Sequence, residues 1–180
     1  KHSLDQANKS IRRYTELLEQ LLMLSNTDQA REHLAESVEL KLVVEKVLYD
    51  LQMQYPEAKT KLQVDWQSLG HLPLPEFVLY TIVKNILENA LLHADADNVK
   101  IAMHDNILII QDNGTTLSKD DIQYLGQRFW RKSAQQKGHG LGLSLVKMML
   151  GQYGYELRCE QNQPTGLKII LSTLSQTKNR

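Results

Sequence analysis

The stretch GHGLGLSLV, at residues 138–146, points to the fold of this chain more directly than any other segment. Three alternating glycines run straight into an apolar segment that has the pattern of a helix. Backbone without side chains at the start of a helix can bring amide N–H groups around a phosphate, and the helix dipole favours the negative charge. A glycine run can equally form a tight turn, so the motif indicates a phosphate site only together with other parts of such a site.

A second feature is the asparagine-rich segment NILENALLHA, at residues 85–94. The apolar spacing from about residue 75 predicts a helix on which Asn85, Asn89 and His93 share a face at intervals of four. Asparagine is a mediocre helix former, so two of them one turn apart suggest a use for their side-chain oxygens, such as holding a magnesium ion bound to a triphosphate. The alternative is a solvated face with asparagines that hydrogen-bond locally.

A third feature is the segment ILIIQDNGTTL, at residues 107–117. Its β-branched half predicts a buried strand, and the Asp-Asn-Gly that follows is strong turn chemistry. A carboxylate on Asp112 can accept a hydrogen bond from an exocyclic amino group, such as that of adenine, while Gly114 lets a flat ring approach the backbone. The alternative is a hairpin turn that exposes Asp112 to water.

These segments, in this order and with RFWRK at residues 128–132, resemble the ATP-binding domain of sensor histidine kinases. They match the N box, first glycine box, F box and second glycine box of that family across residues 85–146, and the resemblance extends less specifically over residues 38–174. It implies a Bergerat-type α/β two-layer sandwich preceded by a long helix.

The resemblance also implies a role for each matching residue. Asn85 and Asn89 would hold magnesium and the phosphates, Asp112 would receive the adenine amino group, and Asn85 and Arg131 would be catalytic. Residues 117–137 would form a mobile ATP lid packed by Phe129 and Trp130. The positions that would bind the cofactor are Asn85, Asn89, His93, Asp112, Gly114, Lys132, Gly138, Gly140, Leu141 and Gly142.

Two positions depart from the family pattern. Leu92 stands where a lysine or arginine commonly meets the phosphates, and Thr116 stands where a second glycine commonly follows Asp-x-Gly. The missing cation is expected to weaken ATP binding or slow transfer unless Lys132, Lys137 or His93 replaces it. Thr116 is expected to narrow or stiffen the nucleotide edge.

The amino-terminal segment has a heptad seam, which predicts a helix over residues 4–25 that packs in a bundle or against a second copy. Within the resemblance, residues 1–27 correspond to the second helix of the dimerisation and phosphotransfer hairpin and residues 28–36 to a hinge. The ATP-binding domain then covers residues 37–175, and residues 176–180 form a tail. The seam consists of Leu4, Ala7, Ile11, Tyr14, Leu18 and Leu21.

No segment of the chain has the phosphoacceptor histidine followed by an acidic residue and Arg-Thr-Pro, and the surroundings of His2 do not match that context. We therefore expect a fragment that binds Mg-ATP and does not autophosphorylate. In the intact protein the resemblance implies homodimerisation through the hairpin, transfer of the γ-phosphoryl group to histidine, and then transfer to an aspartate of a response regulator.

Composition narrows the remaining classes. The 21 basic and 21 acidic side chains give a net charge of zero, which does not favour nucleic acid as a partner. Cys159 is the only cysteine, so no intrachain disulfide is possible. No apolar run reaches the roughly 18 residues of a membrane span, so we expect a cytoplasmic domain, and the resemblance implies a parent protein in the bacterial inner membrane.

The coarse pattern predicts further elements around these motifs. Asp105-Asn106 predicts a hairpin turn. The predicted strands cover residues 37–40, 61–66, 98–104, 107–111, 155–160 and 167–173, and the predicted helices cover residues 41–55, 76–93, 118–125 and 141–153.

Three other functions remain open at this stage. Related ATPases such as gyrase, mismatch-repair proteins and heat-shock chaperones share the nucleotide fold, but many carry a glutamate general base at the place of Asn85, and an amide cannot take a proton from water. A degenerate regulatory module that binds nucleotide poorly would fit Leu92 and Thr116. A Ser/Thr-directed relative of the anti-sigma kinase type is disfavoured by the heptad helix ahead of the ATP domain.

Overall fold

The computed structural model describes residues 37–56, 61–94, 96–127, 130 and 142–174. All of them belong to the second of the two units into which the chain divides, Glu36–Arg180. The predicted helix at residues 4–25 and the predicted hinge lie outside the described residues, as does most of the glycine stretch.

The described part of the chain contains four helices and seven strands. The helices are α1 (Leu40–Gln54), α2 (Glu76–His93), α3 (Lys119–Tyr124) and α4 (Gly142–Gln152). The strands are β1 (Val38–Glu39), β2 (Lys61–Val64), β3 (His71–Leu72), β4 (Asn98–His104), β5 (Ile107–Asp112), β6 (Tyr155–Gln161) and β7 (Leu167–Thr173).

Five strands form one sheet in the order β2-β4-β5-β7-β6. Only β2 and β4 pair in parallel, and the other neighbours are antiparallel. Asp105 and Asn106 join β4 to β5 with φ angles of 50° and 62°, the left-handed pair that a tight two-residue hairpin requires. The predicted hairpin is therefore confirmed.

The core lies between one face of this sheet and the helices. Alternate residues of the central strands are buried on that face, and they include Val99, Ile101 and Leu108. Helix α2 contacts both α1 and α4, and its apolar stripe, from Val78 to Ala90, is buried. Because α2 contacts both helices and buries its apolar stripe, its polar face has a fixed position relative to its neighbours.

The predicted elements that fall on described residues are present, and the differences occur at their ends. The strand expected to reach Trp66 ends at Val64, and β5 extends by one residue to include Asp112. Strand β3 was not predicted, because two residues between Gly70 and Pro73 are too short to show a pattern. It pairs with β1 in a separate two-stranded sheet.

Within the described residues, none of the helices is both long enough and apolar enough to cross a membrane.

Candidate nucleotide site

The polar face of α2 carries the two asparagines that the sequence singled out. The Nδ2 group of Asn85 donates a hydrogen bond of 2.8 Å to the carbonyl of Thr81, one turn earlier. This bond turns the Oδ1 atom of Asn85 away from its own helix. Among the described residues, the side chain of Asn89 has no hydrogen-bond partner, so its amide is available to a ligand.

Helix α4 begins directly against these asparagines. A Cβ atom on Gly142 would lie 2.8 Å from Asn85 Oδ1 and 3.7 Å from Asn89 Nδ2. The first of these separations is closer than real Cβ atoms approach a neighbour, so a side chain at residue 142 would displace the Asn85 amide. The structure thus brings the asparagine-rich helix and the end of the glycine stretch together.

The turn after β5 meets the C-terminal end of α2. A Cβ atom on Gly114 would clash with the carbonyl oxygen of Ala94, and the Thr115 N–H donates a bond of 2.6 Å to that same oxygen. The nine-residue step from Asn85 to Ala94 corresponds to about 13 Å of helix. The contact of Gly142 therefore lies near the middle of α2, and that of Gly114 lies just past its C-terminal end.

Asp112 is a buried carboxylate, with 7% of its surface exposed. It pairs with Val99 across the sheet, so its side chain points toward the helix-covered face. Its Oδ1 atom accepts hydrogen bonds from the N–H groups of Gly114, at 2.9 Å, and Leu167, at 3.2 Å. The interpretation of this segment as a hairpin turn with an exposed Asp112 is therefore wrong.

Both of these bonds are made to the same oxygen of Asp112. Within the described residues, the Oδ2 atom of Asp112 accepts no hydrogen bond and is left for a donor on a ligand. Loss of water around the carboxylate raises the pKa of Asp112, and the two N–H bonds lower it by less. A buried acceptor with one oxygen held in place is suited to a donor such as an exocyclic amino group.

The remaining candidates on α2 supply no positive charge. Burial lowers the pKa of His93, with a smaller opposing effect from a bond to the Leu92 backbone, so the His93 imidazole is neutral near pH 7. Leu92 is 44% exposed and lies seven residues after Asn85, on the same side of the helix. Phosphates beside this part of α2 would meet amides and a neutral ring.

The segment that follows the turn is anchored at two points. Ser118 caps α3 through a reciprocal pair of bonds with Asp121. The Lys147 ammonium group, on α4, donates a bond of 2.6 Å to the carbonyl of Leu125. The first part of the predicted lid is therefore tied to α4, and only the residues beyond Gln127 lie mostly outside the described chain.

Sequence reasoning assigned no role to the turn between β6 and β7, residues 162–166. In the structure, Asn162, Thr165 and Gly166 all hydrogen-bond to the segment 112–116. The run NQPTG shows only turn chemistry in the sequence, and nothing in it identifies the partner segment about 50 residues away.

Several predicted site residues lie outside the described residues: Arg131, Lys132, Gly138, Gly140 and Leu141. For a magnesium ion, the described part of the site offers neutral oxygens, chiefly Asn85 Oδ1. No cluster of three or more His, Cys, Asp or Glu side chains occurs in the part of the chain that the structure covers. These residues fit an ion whose other ligands are phosphate oxygens and water.

Comparison with known proteins identifies the family of this chain. The family described as histidine kinase-, DNA gyrase B-, and HSP90-like ATPase matches residues 76–178. Sensor protein QseC of Salmonella typhimurium is 27% identical over 177 residues, which cover 94% of this chain and 39% of that protein. The chain thus spans about two fifths of the length of this relative.

Solved structures show the same fold. A mycobacterial sensor histidine kinase, MprB, superposes with a TM-score of 0.63 at 23% identity, covering 76% of this chain and 95% of that one. The cytoplasmic segment of the histidine kinase QseC superposes with a TM-score of 0.60 at 22% identity, covering 91% and 94%. The predicted fold class is therefore confirmed.

Proposed function

This chain belongs to the histidine kinase-, DNA gyrase B-, and HSP90-like ATPase family, and from that premise we propose that it binds Mg-ATP as the catalytic part of a two-component sensor histidine kinase. The observation that carries the proposal is the arrangement along α2. Asn85 meets Gly142 near the middle of the helix, and the Asp112 turn docks on Ala94 just past its C-terminal end.

We assign these two contacts to different parts of the nucleotide. Asp112 accepts a hydrogen bond from the adenine amino group through Oδ2, and Gly114 leaves room for the ring beside the backbone. The amide oxygens of Asn85 and Asn89 hold the magnesium ion, which neutralises charge on the phosphates when bound. The start of α4 at Gly142 directs backbone N–H groups and the positive end of the helix dipole toward those phosphates.

The proposal extends by family resemblance to residues outside the described chain. Arg131 would stabilise charge during transfer, and Lys132 would contact phosphate. Gly138, Gly140 and Leu141 would complete the loop that leads into α4. In that scheme the protein positions the nucleotide and compensates charge, which is most of what phosphoryl transfer requires.

The acceptor we propose is a histidine imidazole on a helical hairpin, followed by an aspartate of a response regulator. Direct hydrolysis is disfavoured because Asn85 donates to the Thr81 carbonyl and an amide cannot take a proton from water. In the intact protein we propose, by family resemblance, homodimerisation through the hairpin and a location at the bacterial inner membrane.

A nucleotide-poor regulatory module is the second candidate, and one observation favours it. Leu92 places an exposed, uncharged side chain on the same side of α2 as Asn85, and burial lowers the pKa of the neighbouring His93. Such a module would bind nucleotide weakly or not at all.

A transfer assay tests the proposal. The 180-residue chain is incubated with Mg-ATP labelled at the γ-phosphate, alone and with the isolated phosphoacceptor hairpin of a QseC-type sensor kinase. We expect little phosphate release from the chain alone, and acid-labile label on the hairpin when both are present. Asn89→Ala is expected to reduce the label, whereas Gln52→Ala, which removes an exposed amide from α1, is expected to leave it unchanged.

Two results would contradict the proposal. Phosphate release at the same rate with and without the hairpin would indicate a hydrolase. Absence of both labelling and nucleotide binding would favour the regulatory module.

A further inference from the structure

We infer that the β6–β7 turn, residues 162–166, fixes the base specificity of the nucleotide site, with Asn162 and Thr116 as positioning residues for Asp112. The inference rests on the proposed function, because it assumes that Asp112 receives the adenine amino group. It goes further in naming the part of the chain that aims this carboxylate.

The turn holds Asp112 by both its main chain and its side chain. The Nδ2 group of Asn162 donates a hydrogen bond of 2.7 Å to the Asp112 carbonyl oxygen. The N–H of Leu167, the first residue after the turn, donates one of 3.2 Å to Asp112 Oδ1. With the carbonyl and one carboxylate oxygen both held, the direction of Oδ2 is determined.

The same turn also holds the residues that follow Asp112. The Thr165 hydroxyl group donates a bond of 2.9 Å to the Asn113 carbonyl. The Gly166 N–H donates one of 3.2 Å to Thr116 Oγ1. The side-chain amide of Gln161, at the end of β6, donates one of 2.7 Å to the Leu117 carbonyl. The turn and the adjoining end of β6 thus hold the Asp112 segment over six residues.

Glycine at position 166 permits this close contact. Gly166 has a φ angle of +100°, and a Cβ atom there would clash with the Asp112 carbonyl oxygen and lie 2.7 Å from Oδ1. The turn is closed by a bond of 2.9 Å from the Asn162 N–H to the Gly166 carbonyl. The shape of the turn and its contact with Asp112 therefore depend on each other.

Thr116 adds a side-chain hydrogen bond to this contact, which a glycine at the same position could not make. Its hydroxyl oxygen is the acceptor for Gly166, so it ties the far end of the Asp112 segment to the turn. A polar contact in a binding site loses effect when its geometry drifts by about 0.5 Å or 10–20°. Loosening the turn is thus expected to weaken recognition of the base more than it weakens binding of the phosphates.

The test separates recognition of the base from binding of the phosphates. Dissociation constants are measured for the Mg complexes of a non-hydrolysable ATP analogue and of the matching purine nucleotide that lacks the 6-amino group. The ratio of the two constants reports the contact with Asp112. The constant for the purine nucleotide alone reports the rest of the site.

The variants are chosen in matched pairs. Thr116→Val keeps the shape of the side chain and removes the acceptor, whereas Thr116→Ser restores a hydroxyl. Thr115→Val makes the same change at the neighbouring exposed threonine, for which only a main-chain bond is present. Asn162→Ala removes the donor to the Asp112 carbonyl.

We expect the parent chain to prefer the adenine nucleotide by about tenfold or more, since a hydrogen bond to a charged group contributes on this scale. Thr116→Val and Asn162→Ala are expected to reduce this preference by about threefold or more, with purine-nucleotide binding within about twofold of the parent. Thr116→Ser and Thr115→Val are expected to keep the parent ratio.

Three outcomes would overturn the inference, and they are distinguishable. If the parent chain binds both nucleotides equally, the assignment of adenine to Asp112 fails and the inference fails with it. If the parent discriminates and Thr116→Val discriminates equally well, the nucleotide assignment stands and only the role of the turn is refuted. A loss of affinity for both nucleotides alike would indicate a merely structural role, and it would also overturn the inference. If Asn162→Ala does not fold, the threonine variants decide.

Discussion

The Oδ1 atom of Asn85 faces the main chain of Gly142 so closely that a Cβ atom on residue 142 would lie 2.8 Å from it. This contact joins two segments that are 57 positions apart in the sequence. It explains why the last glycine of the GxGLG run falls at the first residue of α4. A side chain at this position would have to displace the amide that we assign to magnesium.

Gly142→Ala is therefore expected to lower affinity for Mg-nucleotide by about tenfold or more, because the new methyl group pushes Asn85 out of place. Gly151→Ala is the matched control in the same helix, since a Cβ atom there meets nothing within 4 Å. That variant is expected to bind normally and to be more stable by about 0.5–1 kcal/mol. Calorimetric titration and thermal unfolding of both variants check the prediction, and equal binding by the two would refute it.

Asp112→Asn is expected to separate stability from binding. The asparagine Oδ1 atom can accept the same two N–H bonds as the carboxylate, so the turn is retained while a buried charge is removed. At pH 7 the variant should be as stable as the parent or more stable, but its amide presents a donor to the adenine amino group. Chemical denaturation together with nucleotide titration tests this. A variant that is destabilised yet binds ATP with parent affinity would contradict the account.

The burial of the Asp112 carboxylate should also affect how the unfolding free energy depends on pH. The folded-state pKa of Asp112 lies above its ordinary value of 3.8, so the folded state holds the proton more tightly. Its contribution to stability is present below pH 3.8 and is lost as the pH rises through the raised pKa. The difference in unfolding free energy between parent and Asp112→Asn should therefore grow in favour of the variant across this window. A constant difference from pH 3 to pH 7 would argue against a buried carboxylate.

His93 should change the pH dependence of the unfolding free energy in the opposite direction. Its folded-state pKa lies below the ordinary value of 6.5 because of burial, so its contribution is present above pH 6.5 and is lost as the pH falls through the lowered pKa. His93→Gln should reduce the loss of unfolding free energy as the pH falls below 6.5, as measured by denaturant unfolding at a series of pH values. His71→Gln, at an exposed position of β3, is the control. If that variant reduces the pH dependence of the unfolding free energy equally, a specific role for His93 is excluded.

Much of the fold follows from local patterns. The periodic apolar stripe of α2 is long, and the structure begins and ends that helix at the predicted residues 76 and 93. The turn at Asp105 and Asn106 was predictable because few residue pairs adopt left-handed backbone twice in succession. Strand β3 was missed because two residues carry no periodicity.

The individual residues of the site could be predicted from the sequence, but the contacts that arrange them in space could not. The burial of Asp112 depends on its pairing with Val99 and on the β6–β7 turn, whose bond to the Asp112 carbonyl comes from Asn162, 50 residues later. Contacts over such separations are fixed by the topology of the sheet, and a single sequence contains no local signal for them. The neutrality of His93 likewise follows from burial, which spacing on a helix does not reveal.

Cys159 is expected to be chemically inert in the folded protein. Burial raises the pKa of its thiol to about 11, although the nearby Lys147 charge lowers it in part. At pH 8 the folded protein should react with a disulfide reagent about a hundredfold more slowly than the urea-unfolded chain, because the thiolate is the nucleophile. The chain has one cysteine, so the released chromophore reports this site alone. Similar rates in the two states would show that the thiol is accessible.

The central claim is that the contacts of α2 with Gly142 and with the Asp112 turn belong to one nucleotide site. Calorimetric titration of the 180-residue chain with a Mg-bound, non-hydrolysable ATP analogue tests it most directly. We predict saturable binding at a single site that is weakened by Gly142→Ala at the first contact and by Asp112→Asn at the second. Asp65→Asn, the same change at an exposed aspartate, should leave it unaltered. No binding by the parent chain, or weakening by only one of these two variants, would contradict the account.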